Sequence, residues 1–188
     1  MLKDYHRMNL ETTIKPGTDL TSAELEVMNF WRKKEFDKEA WSHDGINYFH
    51  KNLFFIIRNS EQIVSFGMLI PIDIFIDKQK YSIDGIATIF STIRGKGFGK
   101  YLMERMKEYI ISRDKIAVGF CESKNTEFYK KCGYGIWENG IDNFIYIDEK
   151  GTEIKDDGGD TLYLDNKEGL LANAIKSNKL IYHYFPHW

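Results

Sequence analysis

Apolar positions along this 188-residue chain change their period several times, and each change marks an element. In "LTSAELEVMNFWRKKEF", Leu25, Met28 and Trp31 recur at helical spacing. Thr21 and Glu24 form a capping box ahead of them, and Leu20 with Leu25 can staple the incoming chain. The pattern predicts a helix there and a second over "KEAWSHDGINYF". Three β-rich runs follow, "NLFFIIR", "IVSFGMLIPIDIFID" and "YSIDGIATIFST", separated by "NSEQ" and "DKQK". Short polar turns between such runs predict an antiparallel meander.

After Gly99 the period becomes helical again, with Leu102, Met106, Tyr109 and Ile110 on one face. "KIAVGFCES" then reads as a buried strand, and a strand reached through a helix predicts a parallel crossover. "NTEFYKKCGY" predicts a short helix ended by Gly133. "GIWENGIDNFIYID", "TLYLD" and "LIYHYF" read as further strands, with a helix over "KEGLLANAIKSN". The expected class is α/β (α+β): a mixed sheet with an antiparallel N-terminal half, one βαβ crossover and helices on both faces. A single domain over 1–188 is expected, with 1–19 as an extension and strands in 148–188 completing it.

Composition removes several alternatives. A chain 43% hydrophobic holds enough apolar material for a core. A net charge of −2 argues against non-specific nucleic-acid binding. Cys121 and Cys132 make neither a disulfide framework nor a zinc site, and a reducing cytoplasm is the simple expectation. "MLKDYHRMNLETT" lacks the apolar stretch of a secretion signal, and no run is long enough to span a membrane.

The charges are segregated. Residues 94–115 hold seven Lys/Arg against three Asp/Glu, a net +4, and residues 137–165 hold nine acids against two lysines, a net −7. Together they suggest one site for an anion and one for a cation. The anion site falls on "IRGKGFG", where a strand becomes a helix through Gly95, Gly97 and Gly99. Glycine permits positive φ and close approach of a ligand. A helix start offers unpaired N–H groups and the positive end of the dipole. Phosphate is the natural occupant. "GKGFGKY" lacks the spacing and hydroxyl of a Walker A loop, and antiparallel strands ahead of it do not open a Rossmann unit.

Arg94, Gly97 and Gly99 do satisfy R-x-x-G-x-G, which resembles the acyl-CoA pyrophosphate loop of the GNAT superfamily of N-acetyltransferases. "NTEFYKKCGY" resembles a second pattern of that superfamily, with Asn125, Tyr129, Gly133 and Tyr134 in place. The resemblance covers roughly residues 20–147, although Ser91 stands where the family often has Pro. It implies a GNAT-like mixed central sheet and acetyl-CoA as co-substrate. Arg94, Gly95, Lys96, Gly97, Phe98, Gly99 and Lys100 would hold the pyrophosphate, and the backbone of Ala87, Thr88 and Ile89 the thioester side. Asn125 would contact the pantetheine or adenine side, and Tyr129 would lie near the thioester sulfur.

A narrower resemblance concerns the acceptor. "LTSAELEVM", "SIDGIA" and "EIKDDGGDTLYL", with a chain ending in "LIYHYFPHW", look similar to the aminoglycoside 2′-N-acetyltransferases. His187 stands where that family carries an acid. This likeness implies Asp84 as base, with Asp156, Asp157, Asp160 and the Trp188 carboxylate on the acceptor side. The acidic cluster lacks EF-hand spacing, and no metal is expected. The implied reaction is direct acetyl transfer to an amine, with Asp84 taking a proton through ordered water and Tyr129 protonating the thiolate. A polyamine or a peptide amine is the alternative acceptor, a non-catalytic acyl-CoA-binding domain is the alternative role, and a homodimer is left open.

Overall fold

The computed structural model describes residues 9–36, 51–155 and 158–185. The helix expected over "KEAWSHDGINYF" lies outside them. The described residues form two compact units, one of Met1–Ile70 with Ala87–Met106 and one of Pro71–Ile86 with Lys107–Trp188.

The first unit holds β1 (Leu10–Pro16), α1 (Ser22–Phe36), β2 (Leu53–Asn59) and the adjoining parts of β3 (Gln62–Ile76), β4 (Gln79–Ser91) and α2 (Phe98–Ser112). The capping box predicts the start of α1 correctly. The Thr21 amide donates to Glu24 Oε2 at 2.8 Å, and the Glu24 amide donates back to Thr21 Oγ1 at 3.3 Å. Within the expected extension, residues 10–16 form a strand whose seven residues all pair antiparallel with β2. β2 pairs antiparallel with β3, as the alternating runs predict.

Neighbouring β3 positions show that both faces of this sheet are covered. Phe66 packs on Phe90, which packs on Trp31 of α1. Gly67 meets the other helix: a Cβ there would sit 2.6 Å from Ile89 Cδ1 and 3.3 Å from both Leu102 and Met106. Side chains alternate along a strand, so residues 66 and 67 serve opposite layers. Phe54, Phe55, Ile56, Leu102 and Met103 are fully buried between them.

In the second unit the strand order is β6 (Gly135–Trp137), β9 (Asp160–Leu164), β5 (Ala117–Cys121), β4, β3, β10 (Ile181–His183), β7 (Phe144–Ile147) and β8 (Glu153–Lys155). β5 (Ala117–Cys121) runs parallel to β4 after α2, which is the expected crossover. α3 (Thr126–Lys131) ends in a Schellman motif: the Tyr134 amide donates to Tyr129 O, the Gly133 amide to Lys130 O, and Gly133 has φ +83. The run expected as one strand over "GIWENGIDNFIYID" is divided. β6 (Gly135–Trp137) pairs with β9 (Asp160–Leu164), whereas β7 (Phe144–Ile147) pairs with β10 (Ile181–His183). Asn139 breaks the run with φ +52, and Gly140 follows where a Cβ would meet Trp137 at 2.7 Å and Thr161 Oγ1 at 2.8 Å. β7 and β10 are parallel, so a second parallel pair joins the single one expected. β8 (Glu153–Lys155) and α4 (Leu170–Lys176) complete the unit.

Candidate active site

In the first unit, β4 delivers the chain to the glycine turn. The Thr92 amide donates to Val64 O at 3.0 Å and its hydroxyl reaches the same oxygen at 3.2 Å, fixing the last extended residues. Gly95 and Gly97 take φ +77 and +81, a region that favours glycine. Nothing lies within 4 Å of a Cβ built on Gly95, so its requirement is conformational rather than spatial. The Gly97 carbonyl accepts the first helical hydrogen bond, from Tyr101 N at 3.0 Å. The amides of Phe98, Gly99 and Lys100 therefore have no acceptor within α2. The buried Phe98 ring anchors this first turn. Lys96 is exposed, and Lys100 lies 3.7 Å from Glu104. Arg94 is 86% exposed and donates to Glu35 Oε2 of α1 at 2.7 Å. Unpaired amides, two glycines at positive φ and cationic side chains together suit a phosphate.

Upstream, Ala87 is buried, while Thr88 and Ile89 are half-buried. Thr88 has φ +53, an outlier for a β-branched residue. Such strain clusters at functional backbone, where it aims peptide groups that a regular strand would pair. A cavity of about 480 Å³ near the start of α1 includes Glu24, Arg58 and Trp31 in its wall. Its buried carboxylate is satisfied by Arg58, Lys15 and Thr21, so the group does not reach for a ligand.

In the second unit, the β4/β5 ladder includes Asp84 opposite Ala117 and Gly85 opposite Val118. Asp84 is 3% exposed. Its Oδ1 accepts from Lys115 Nζ at 2.9 Å, and its buried Oδ2 has no hydrogen-bond partner among the described residues. The carboxylate is thus held in an ion pair with one oxygen left over.

Tyr129 sits in the second half of α3, half-buried and edge-on to Phe128. Its hydroxyl has no hydrogen-bond partner among the described residues. Burial, with the Cys121 and Cys132 thiols nearby, raises its pKa above the usual tyrosine value, so the phenol stays protonated. Asn125 is exposed, and its side chain makes no cap bond to α3. Lys107 Nζ donates to Cys132 O at 2.6 Å, closing the C-terminal end of α3.

Asp160 corrects the sequence-based expectation of an open acceptor-side carboxylate. It is 5% exposed and accepts from Thr126 Oγ1 at 2.6 Å and from the Asn139 amide at 2.9 Å. Those bonds hold its pKa below the usual carboxylate value. Asp156, Asp157 and Trp188 lie outside the described residues. Lys115, Glu35, Lys107 and Thr126 are not singled out by sequence, because each acquires its partner across 25 to 59 residues.

Residues 19–134 match the model of the Acetyltransferase (GNAT) family. The chain belongs to that family. Acetyl-CoA is accordingly its acetyl donor, and the enzyme is an acetyltransferase. No curated protein matches the chain in sequence. Among solved structures it is similar to Escherichia coli ElaA, at 15% identity and TM-score 0.58, over 83% of this chain and 99% of that one. It is similar to Campylobacter jejuni N-acetyltransferase PseH in complex with acetyl coenzyme A, at 15% identity and TM-score 0.50, over 82% and 99%. A conserved Enterococcus faecalis V583 protein of unknown function shares 18% identity and TM-score 0.51, over 66% of this chain and 32% of that longer one. These likenesses show the fold. Among the described residues, no helix is long and apolar enough to cross a membrane.

Proposed function

We propose that this acetyltransferase acts on a primary amine of a small cationic acceptor, an aminoglycoside being the first class to try and a polyamine the alternative. The observation that carries the donor side is the turn with Gly95 and Gly97 at positive φ and unpaired amides opening α2. The acceptor side rests on the acidic excess over 137–165. An ammonium group needs carboxylates beside it, and a charge-assisted hydrogen bond contributes about 1.5–3 kcal/mol. Asp156, Asp157 and Trp188 remain the proposed acceptor contacts. Asp160 is left out because its oxygens are engaged internally.

In the proposed reaction the pyrophosphate rests on the amides and cations of residues 94–100, and Asn125 meets the pantetheine or adenine side. Backbone N–H groups of Ala87–Ile89 polarise the thioester carbonyl. The ammonium gives a proton to Asp84 through ordered water. Its nitrogen then bonds the acetyl carbon as the carbon–sulfur bond breaks, the Tyr129 hydroxyl protonates the departing thiolate, and the proton left on the acetylated nitrogen returns through water to the tyrosinate.

Turnover of acetyl-CoA against aminoglycosides, polyamines and peptide amines tests the acceptor. Saturable acetylation of a polycationic small molecule, with KM raised in the Asp156→Asn/Asp157→Asn double variant, is expected. Turnover confined to peptide amines would overturn the small-acceptor reading while leaving the donor side intact.

A further inference from the structure

Asp160 occupies the first position of β9, opposite Cys121 of β5 in the strand register. Its carboxylate gathers two segments that are distant from it in sequence. Oδ2 receives the Thr126 hydroxyl from the first residue of α3, and Oδ1 receives the Asn139 amide from the turn that divides β6 from β7. Asp160, Thr126 and Asn139 are thus tied at one buried point. We propose that Asp160 is a positioning residue for Tyr129, acting through Thr126 and α3.

The physical reason is the size of α3. A helix of six residues is too short to hold itself together in water, so its placement is set by what grips its ends. Its C-terminal end is gripped by the Schellman turn and by Lys107 on Cys132 O. At the N-terminal end, Asn125 provides no side-chain cap, and Thr126 is fastened to Asp160. Tyr129 follows Thr126 by three positions, which places the two on neighbouring parts of one helix face. Loss of the Asp160 carboxylate would release the start of α3 and let the Tyr129 hydroxyl drift from its place. A displacement on the order of 1 Å can cost a catalytic group about 10²-fold in rate.

This inference rests on the reading of Tyr129 as the general acid, and a double-variant cycle separates the two. Asp160→Ala in the natural background should lower kcat by roughly 10–10²-fold, with the KM for acetyl-CoA and the Kd for CoA near their original values. In a Tyr129→Phe background the same change should add almost nothing, because the group it positions is gone. Thr126→Val should follow Asp160→Ala, and Thr126→Ser, which keeps the hydroxyl, should restore kcat. An equal loss from Asp160→Ala in both backgrounds would overturn the positioning role while leaving Tyr129 as the acid. Full turnover by Tyr129→Phe alone would remove the acid role and this inference with it. If Asp160→Ala does not fold, Thr126→Val carries the same cycle, since Asp160 then keeps its bond to Asn139.

Discussion

Arg94 Nη2 donates to Glu35 Oε2 at 2.7 Å, tying the leading cation of the glycine turn to the last turn of α1. The two residues are 59 positions apart. A carboxylate beside the proposed pyrophosphate cradle repels a phosphate and competes for the same guanidinium. Glu35→Gln should therefore tighten CoA binding by about two- to fivefold, the range set by an exposed ion pair. Calorimetry at low and high salt checks this, because the gain should fade as salt screens exposed charges. Weaker binding in the variant would mean instead that Glu35 orients Arg94 for the ligand.

The turn itself makes a larger prediction. Gly97 has φ +81, and Gly99 lies in the first turn of α2. Valine at 97 would be strained in that conformation, and valine at either position would crowd a phosphate approaching the amides. A folded Gly97→Val/Gly99→Val variant should show no measurable CoA binding by calorimetry. Unchanged affinity would remove the turn from the donor site.

Tyr129→Phe should lower kcat by roughly 10²–10⁴-fold with CoA affinity near normal, the usual worth of a general acid. Burial and the flanking thiols raise the phenol's pKa above its reference value of 10.0. The sign follows directly: an acid with a raised pKa keeps its proton longer as pH rises. The pH–kcat profile should show no loss assignable to Tyr129 below pH 10.

Acid stability should be governed in part by Glu24. Burial pushes its pKa up, but Lys15, the Thr21 amide and Arg58 outweigh this and lower it from 4.5 to about 2. A carboxylate with a depressed folded-state pKa stabilises the protein above its unfolded value and loses that contribution as pH falls. The window here runs from pH 4.5 down to about 2, and the loss amounts to at most about 3 kcal/mol. Urea melts of the natural protein and Glu24→Gln across this window should converge at low pH. At neutral pH the variant should be the less stable, because Lys15 and Arg58 lose their shared buried partner.

Much of the chain was legible where the governing chemistry lies within a few residues. The start of α1 follows from Thr21 and Glu24, the end of α3 from Gly133, and the turn that opens α2 from three glycines at a strand-to-helix join. Helix caps, turn conformations and unpaired first-turn amides are local properties, so residue order alone determines them. Tertiary structure decided what depends on distant partners. Residues 135–148 read in sequence as one strand, yet β6 and β7 separate because β9 takes one and β10 the other. Residues 10–16 became a strand because β2 offered them an edge. Asp84 is paired with a lysine 31 positions away, and Asp160 bonds a threonine 34 positions away. A sequence shows that a carboxylate is present. Whether it faces a substrate or a buried hydroxyl is set by which groups folding brings within about 3 Å of it, since hydrogen bonds act only at that range.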